Sequence, residues 1–203
     1  RYPVEQVATP EGYQRDPALV INFYNERRKQ LLKVKPNRGH ELLAELEKNF
    51  HVTVVTQNID NLHERAGSSH IIHLHGELTK VCSSRDPHNP HYIKELKPEE
   101  YEVKMGDKAG DGTQLRPFIV WFGEAVPEIE TAIQYVEKAD IFVIIGTSLN
   151  VYPAAGLLHY VPRGAEVYLI DPKPVDTHTS RSIHVIQKGA SEGVAELKQL
   201  LGV

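Results

Sequence analysis

Short runs of continuous apolar residues recur along this chain, and amphipathic segments separate most of them. Residues 141–145 (IFVII) form the clearest apolar run. Runs of this length are typical of strands that are covered on both faces, as in a parallel sheet. The predicted strands are residues 51–56, 71–74, 118–122, 141–145, 167–170 and 184–186.

Helical periodicity occurs between these predicted strands. Apolar residues recur at helical spacing in residues 37–49, 127–138 and 191–201, where Ser191 is a candidate N-cap. Asp16, followed by a proline, predicts the start of a further helix. The alternation of strands and helices predicts an α/β fold with a doubly wound parallel sheet.

Two segments interrupt this alternation. Residues 1–36 contain one predicted helix and no predicted strand. Residues 83–114 are polar, with several prolines and glycines and few large apolar side chains. We therefore expect a loop-rich insertion that cannot support a core of its own.

Composition narrows the class of protein. The length of 203 residues suits one domain, or one domain with a small inserted module. The net charge of -4 gives no reason to expect a nucleic-acid partner. No apolar run approaches the roughly 20 residues that cross a bilayer, so we expect no membrane partner. The single cysteine, Cys82, excludes an internal disulfide and favours a reducing, cytoplasmic setting.

Polar residues follow the predicted strand 51–56 directly, in the string TQNIDNLHERAG at residues 56–67. Ligands of open α/β sheets bind at the carboxyl ends of strands, and polar side chains crowd this point. The candidate binding residues are therefore Gln57, Asn58, Asp60, Asn61, His63 and Glu64. The same residue types also form turns and cap helices, and a purely structural loop is the alternative.

Two histidines lie in the string HLHGEL at residues 73–78. His73 and His75 share one face if the strand extends that far, and Gly76 would allow another group to approach closely. A histidine with a pKa near neutrality is a candidate general base. The alternative is a structural histidine at a strand end.

Two turns follow other predicted strands. Gly146, Thr147 and Ser148 come directly after the strand 141–145, where ribose and phosphate groups bind in α/β sheets. The full GxGxxG motif is absent, so a plain tight turn is the alternative. By composition alone, residues 121–124 (WFGE) are a strand that ends in a turn.

A helical projection of residues 17–33 at about 100° per residue gives one apolar stripe with an arginine near its centre. The stripe consists of Val20, Phe23, Tyr24, Arg27 and Leu31. Tyr24 and Arg27 are neighbours on the helix, and a guanidinium beside a phenol hydroxyl would suit a carboxylate ligand. The alternative is an Arg27 that reaches solvent or pairs with a fixed acid. Arg28 and Lys29 are expected on a solvated face.

Four strings, TQNIDNLHERAG, HLHGEL, RPFIVWFGE and GTSLNVYPAAG, occur in an order and at spacings that resemble the sirtuin family. The resemblance covers Arg1 to Val203 and is closest to the class III sirtuins, the bacterial and mitochondrial deacylases. It implies a Rossmann-like parallel-sheet domain with a small inserted helical and ribbon module. The implied parts are a helical part at residues 1–36, the Rossmann-like NAD-binding domain at 37–80 and 116–203, and a ribbon-position insertion at 81–115.

The resemblance also implies an activity. Sirtuins transfer the acyl group of an acyl-lysine protein to the ADP-ribose part of NAD, which yields nicotinamide, free lysine and O-acyl-ADP-ribose. NAD and the acyl-lysine meet in a cleft between the domains. By motif position, His75 resembles the catalytic histidine that helps to deprotonate a ribose hydroxyl, and Asn58 resembles the residue that positions ribose and water.

The family's binding residues carry over by motif. The implied cofactor-binding residues are Gln57, Asn58, Ile59, Asp60, Gly146, Thr147, Ser148, Asp171 and Ala190. The implied substrate-binding residues, which would pair with the substrate backbone, are Val120, Trp121, Phe122, Gly123 and Glu124. The run from Tyr24 to Arg27 matches the Tyr-x-x-Arg that binds succinyl, malonyl or glutaryl carboxylates, so we expect a desuccinylase or demalonylase with some deacetylase activity.

The sequence departs from the family at two places. Many sirtuins bind zinc through four cysteines in the ribbon, whereas Cys82 is alone here, and its neighbours Asp86, His88 and His91 match no zinc pattern. We therefore expect no zinc. The Gly-Ala-Gly loop that binds the NAD phosphates in sirtuins does not occur in the chain, and we expect the natural protein to carry it upstream of Arg1.

Three other functions stay open at this point. They are a plain lysine deacetylase, a mono-ADP-ribosyltransferase and a non-enzymatic binder of NAD or ADP-ribose. The presence of His75 argues against the binder, because a binder needs no general base.

Overall fold

The computed structural model describes residues 2–146, 154–176 and 179–203, with the backbone alone for Ala154. The helices are α1 Val4–Val7, α2 Pro10–Arg15, α3 Pro17–Leu31, α4 Arg38–Glu45, α5 Leu62–Ala66, α6 Glu128–Val136 and α7 Ala190–Leu200. The strands are β1 Val54–Thr56, β2 Ile71–His73, β3 Gly76–Ser83, β4 Lys94–Glu95, β5 Leu115–Ile119, β6 Ile141–Ile145, β7 Glu166–Ile170 and β8 His184–Ile186. None of the described helices combines the length and apolar character that crossing a bilayer requires.

Contacts within the chain define two compact units. The first unit comprises Arg1–Lys35, Thr56–Asn61 and His73–Val126, and the second comprises Pro36–Val55, Leu62–Ile72 and Pro127–Val203. This division differs from the predicted domain boundaries at residues 56–61, 73–80 and 116–126, which lie in the first unit, and at residue 36, which lies in the second. The boundaries implied by the family resemblance stay a prediction.

The second unit contains a parallel sheet built from three of the six predicted strands, whereas the predicted strand 118–122 overlaps β5 of an antiparallel sheet. Strands β6, β7 and β8 pair in parallel in that order, and β6 and β8 have the predicted bounds. Helices α4 and α7 contact each other, and their apolar residues form one core with the sheet. The buried members of that core are Leu42, Tyr168, Ile170, Ile186, Val194 and Leu197. The apolar runs thus become strands because both faces of the sheet carry buried side chains.

The first unit contains an antiparallel sheet that the apolar pattern does not predict. Strand β3 pairs with β4 on one side and β5 on the other. Ile21 of α3, Val81 of β3 and Val103 form a buried cluster. The polar insertion 83–114 therefore packs through Val103 against residues outside it, as expected of a segment without its own core.

The helix that begins after Asp16 is confirmed. The Asp16 side chain accepts a hydrogen bond from the Leu19 N–H at 3.2 Å, and Pro17 is the first helical residue of α3. Residues 1–36 contain α1 and α2 as well, so the prediction of one helix is wrong. Helices of four and six residues are too short to show a helical period in the sequence.

The predicted cap of the last helix is wrong by two residues. Gly189, not Ser191, precedes the first residue of α7. The Ser191 hydroxyl instead accepts a hydrogen bond from the Gly39 N–H at 3.2 Å and so connects α7 to the start of α4.

Candidate active site

The loop after β1 is held by its main chain. The Asn58 N–H donates to the Thr56 hydroxyl at 3.0 Å, and the Leu78 N–H of β3 donates to the Ile59 carbonyl at 2.8 Å. A ring nitrogen of His73, Nδ1, lies 2.9 Å from the Asn58 carbonyl oxygen. Strands β2 and β3 therefore fix the backbone of the predicted cofactor loop.

Two amide side chains of this loop have a buried atom without a hydrogen-bond partner in the described part of the chain. They are Gln57, through Nε2, and Asn61, through Oδ1. A buried polar atom without a partner costs on the order of 1–3 kcal/mol, so such atoms indicate a ligand or an ordered water. One of these atoms is a donor and the other an acceptor. The sequence places Asn61 in the polar cluster after the first predicted strand, but Asn61 is not among the cofactor-binding residues that the family resemblance implies.

The two histidines differ in position. Strand β2 ends at His73, and His75 lies in the turn before β3, so the two do not share a strand face. His73 is buried, and its Nε2 lies 3.9 Å from a Glu77 carboxylate oxygen. His75 is half-buried, and this burial lowers its pKa. Its imidazole is therefore neutral near pH 7 and can accept a proton.

The predicted substrate segment begins where β5 ends. The strand stops at Ile119 and does not continue to Phe122 as predicted. Val120 still donates to the His75 carbonyl, directly before the partner strand β3, at 2.9 Å. Pairing stops beyond it because Phe122 donates to the Ala8 carbonyl at 3.0 Å instead. Substrate pairing along this segment would therefore draw mainly on its carbonyl oxygens.

A buried ion pair closes the turn of this segment. Arg116 donates to both carboxylate oxygens of Glu124, from Nη1 at 3.0 Å and from Nη2 at 3.2 Å. The Trp121 N–H donates to the same carboxylate at 2.7 Å. Gly123, at φ +90°, allows the tight turn between them. Phe122 points outward and is 69% exposed.

The Tyr24 hydroxyl, half of the predicted acyl receptor, already has two partners. It donates to the Val7 carbonyl at 2.9 Å and accepts from the Trp121 indole N–H at 3.0 Å. Arg27 lies on the exposed side of the helix, with its guanidinium carbon 5.6 Å from the centre of the Phe23 ring.

The prediction that Arg27 lies near the centre of the buried stripe is wrong, and so is the solvated face expected for Arg28. The buried residues of α3 are Val20, Ile21, Tyr24, Asn25, Arg28 and Leu31. Arg28 is 4% exposed because its guanidinium donates to the carbonyls of Leu78 and Tyr101, each at 3.0 Å, and to the Asn25 side chain. Burial lowers the Arg28 pKa to about 10.

In the second unit, predicted cofactor residues lie at the carboxyl ends of neighbouring strands. Gly146, at φ +65°, follows β6 and donates to the Ile170 carbonyl of β7 at 3.0 Å. Asp171 follows β7, and one of its carboxylate oxygens accepts the Lys173 N–H at 2.8 Å. Ala190 is the first residue of α7. Thr147 and Ser148 lie outside the described residues.

The side chains considered as zinc ligands do not converge. Cys82 is buried, burial raises its pKa to about 12, and its thiol faces the Pro117 carbonyl at 3.7 Å. Within the described ranges, Cys82, Asp86, His88 and His91 form no cluster of metal-binding atoms. The expectation that no zinc binds stays a prediction.

Comparison with known proteins decides the family. A model of the Sir2 family matches residues 1–153. The chain belongs to the Sir2 family. A relative from Bacteroides thetaiotaomicron, named NAD-dependent protein deacylase, is 94% identical over 201 residues, which are 99% of this chain and 86% of that protein. The resemblance to sirtuins inferred from the four strings is thereby confirmed.

Solved structures of Sir2 proteins have the same fold. A Sir2 homolog–NAD complex has a TM-score of 0.83 at 34% identity, covering 100% of this chain and 78% of that chain. A Sir2–p53 peptide–NAD+ structure has a TM-score of 0.74 at 29% identity, covering 95% of this chain and 81% of that chain. The predicted α/β fold with a Rossmann-like sheet is confirmed.

Proposed function

We propose that this Sir2-family chain is an NAD-dependent protein-lysine deacylase that prefers acidic acyl groups, succinyl or malonyl, and also removes acetyl groups. The activity class follows from family membership and from the 94% identical relative named NAD-dependent protein deacylase. Acyl-lysine proteins are the proposed partners. We also propose a cytoplasmic location, which rests on the single cysteine.

The acidic preference rests on one observation about Arg27. Its guanidinium lies over the Phe23 ring and forms no ion pair within the described residues. Tyr24, three positions earlier, lies next to it on α3. An arginine without an internal carboxylate can bind one from a ligand, and its planar fork matches both oxygens of a succinyl or malonyl group.

The chemistry requires a proton acceptor, and His75 supplies it. NAD, when bound, provides a ribose carbon that the acyl oxygen can attack as nicotinamide leaves. His75 is neutral near pH 7 because burial lowers its pKa, so an imidazole nitrogen can take the proton of a ribose hydroxyl. The hydrogen bond from Val120 to the His75 carbonyl fixes the turn that carries this imidazole.

The residues of the first unit fit the nicotinamide end of NAD. The Nε2 of Gln57 and the Oδ1 of Asn61 are a buried donor and a buried acceptor without partners in the described part of the chain. The nicotinamide carboxamide carries both an acceptor and a donor, so it has a group that can pair with each kind of atom. Asn58 and Asp60 belong to the same fixed loop and stay predicted contacts.

The residues of the second unit fit a nucleotide by position. Gly146, Asp171 and Ala190 follow three successive parallel strands, where nucleotides bind in open α/β sheets. An aspartate after the second of these strands can accept a hydrogen bond from a ribose hydroxyl.

A plain lysine deacetylase is the second candidate, and one observation favours it. The Tyr24 proton is already donated to the Val7 carbonyl, so the hydroxyl is not presented to a ligand carboxylate without an exchange of partners. In that case Arg27 would act alone or not at all.

The test measures release of free lysine from two peptides that differ only in a succinyl or acetyl group, with and without NAD. We expect NAD-dependent turnover of both, with kcat/KM at least about tenfold higher for the succinyl peptide, because a charge-assisted hydrogen bond contributes about 1.5–3 kcal/mol. Equal rates, or faster release of acetyl, would favour the plain deacetylase. No turnover of either peptide would contradict the deacylase assignment.

A further inference from the structure

The Tyr24 hydroxyl has two hydrogen-bond partners, one a donor and the other an acceptor. The indole N–H of Trp121 can only donate, so the Tyr24 oxygen must accept there, at 3.0 Å. The single hydroxyl proton is then directed to an acceptor, which in this structure is the Val7 carbonyl at 2.9 Å. Burial raises the pKa of Tyr24, so the hydroxyl keeps this proton at neutral pH.

The indole itself is held on several sides. Trp121 is 2% exposed, and the guanidinium carbon of Arg116 lies 3.8 Å from the centre of its ring. The Glu124 carboxylate that pairs with Arg116 also accepts the Trp121 backbone N–H. The Tyr13 ring packs against the indole at a centroid distance of 5.3 Å. The direction of the indole N–H is therefore fixed by a buried network.

We propose that Trp121, supported by Arg116, is a positioning residue that keeps the Tyr24 hydroxyl a hydrogen-bond donor toward an acyl carboxylate. The Val7 carbonyl is a neutral acceptor, and a carboxylate is a stronger one, so an acidic acyl group takes over the Tyr24 proton. An acetyl group has no oxygen beyond its carbonyl and leaves the Val7 contact in place. This inference rests on the proposed preference for acidic acyl groups.

The first test is a double-mutant cycle on acyl selectivity. The measured quantity is the ratio of kcat/KM for succinyl-lysine and acetyl-lysine peptides. Trp121→Phe keeps an aromatic ring and removes the indole N–H, and we expect the ratio to fall about three- to tenfold. Trp121→Phe added to Tyr24→Phe should lower it no further, because both changes disable the same hydroxyl.

Two further variants distinguish a loss of Tyr24 positioning from a general disturbance of the site. Tyr13→Phe also removes a hydroxyl beside the indole, but that hydroxyl contacts Ser84, so the ratio should not change. Arg116→Lys keeps the positive charge but removes the paired hydrogen bonds of the guanidinium to the Glu124 carboxylate. It should lower the ratio less than Trp121→Phe does. If Trp121→Phe lowers both kcat/KM values equally, or its effect adds fully to that of Tyr24→Phe, the positioning role is overturned.

The second test needs no turnover. Trp121 is the single tryptophan, so the protein gives one indole N–H signal in a nitrogen–proton correlation spectrum. Tyr24→Phe should move its proton upfield through loss of the hydrogen bond, by more than Tyr13→Phe does. An unmoved signal together with an intact succinyl preference overturns the positioning role alone. A wild-type protein without succinyl preference contradicts the proposed function and the selectivity role, even if the signal moves.

Discussion

The backbone N–H of Val120 donates to the carbonyl oxygen of His75 at 2.9 Å. A main-chain hydrogen bond therefore joins the candidate general base to the first residue of the substrate segment. The next residue, Gly76, pairs with Ile119, the last residue of β5. The start of β3 and the end of β5 therefore hold the base and the substrate segment together. A change that separates these two strands should disturb both.

Gly76→Ala is the sharpest test of this contact. Gly76 has φ +88°, and a Cβ atom there would clash with the Phe118 carbonyl oxygen and with Ile119. Backbone strain of about 1–2 kcal/mol and overpacking of about 1–3 kcal/mol predict a loss of about 2–5 kcal/mol in the free energy of unfolding. We expect urea unfolding to show this loss and kcat to fall with it.

Gly112→Ala is the matched control for that variant. Gly112 has a similar φ of +83°, but no atom of the described residues lies within 4 Å of the added Cβ. Its cost should be limited to backbone strain, about 1–2 kcal/mol, with kcat unchanged. Equal losses of stability and activity in the two variants would show that close approach at Gly76 is unimportant.

The pH dependence of turnover should report His75. Because burial lowers its pKa below the ordinary 6.5, the acid limb of kcat/KM should have its midpoint below 6.5, with full activity above it. His75→Asn should lower kcat about 10²- to 10⁴-fold. His91→Gln removes an exposed imidazole and should leave the profile unchanged. A midpoint above 6.5 would argue against a buried His75 as the base.

The same shift has a consequence for stability. Since the unfolded chain binds the His75 proton at a higher pH than the folded chain, this group lowers the free energy of unfolding as pH falls through 6.5. Removing the imidazole, as in His75→Asn, should flatten the pH dependence of stability between about pH 5 and 7. An unchanged slope in a urea unfolding series would contradict the lowered pKa.

Hydrogen bonds around the end of β3 stabilise the insertion 83–114, which has few large apolar side chains. The buried Ser83 hydroxyl donates to Asp111 at 2.5 Å and accepts the backbone N–H groups of Arg85 and Asp86. Ser83→Ala leaves both N–H groups without this acceptor, and we expect a loss on the order of 1–3 kcal/mol in unfolding free energy. Trp121 fluorescence during urea unfolding would measure it.

Ser84→Ala serves as the control for that change. The Ser84 hydroxyl donates to the Gln114 carbonyl and contacts Tyr13, but among the residues that the structure describes no backbone N–H donates to it. We expect its removal to cost less than about 1 kcal/mol. If Ser83→Ala is no worse than Ser84→Ala, the hydrogen bonds of Ser83 do not stabilise the insertion.

The elements that depend on local pattern were predictable. Residues 141–145 are continuously apolar and form β6 with those bounds, and the Asp16-Pro17 pair starts α3 as expected. The family strings likewise locate Gln57 and His75, which lie in the turns after β1 and β2. These features depend on a few neighbouring residues, and the sequence contains those neighbours.

Features that depend on distant partners were not predictable. Arg28 is buried because carbonyls of Leu78 and Tyr101, 50 and 73 positions away, accept its hydrogen bonds. A helical projection contains no such acceptors, so it placed Arg27 in the apolar face instead. Likewise, the predicted strand does not continue to Phe122, because the Phe122 N–H donates to the carbonyl of Ala8, 114 positions earlier in the chain.

The most direct test of carboxylate binding by Arg27 is the succinyl-to-acetyl ratio of kcat/KM, measured in the wild type, Arg27→Met and Lys29→Met. Lys29 is an exposed cation on the same helix, so its variant controls for the lost charge. If Arg27 binds the acyl carboxylate, the ratio is at least about ten for the wild type and Lys29→Met, and near one for Arg27→Met with acetyl turnover little changed. A ratio that Arg27→Met leaves unchanged would contradict the acyl-carboxylate role of Arg27.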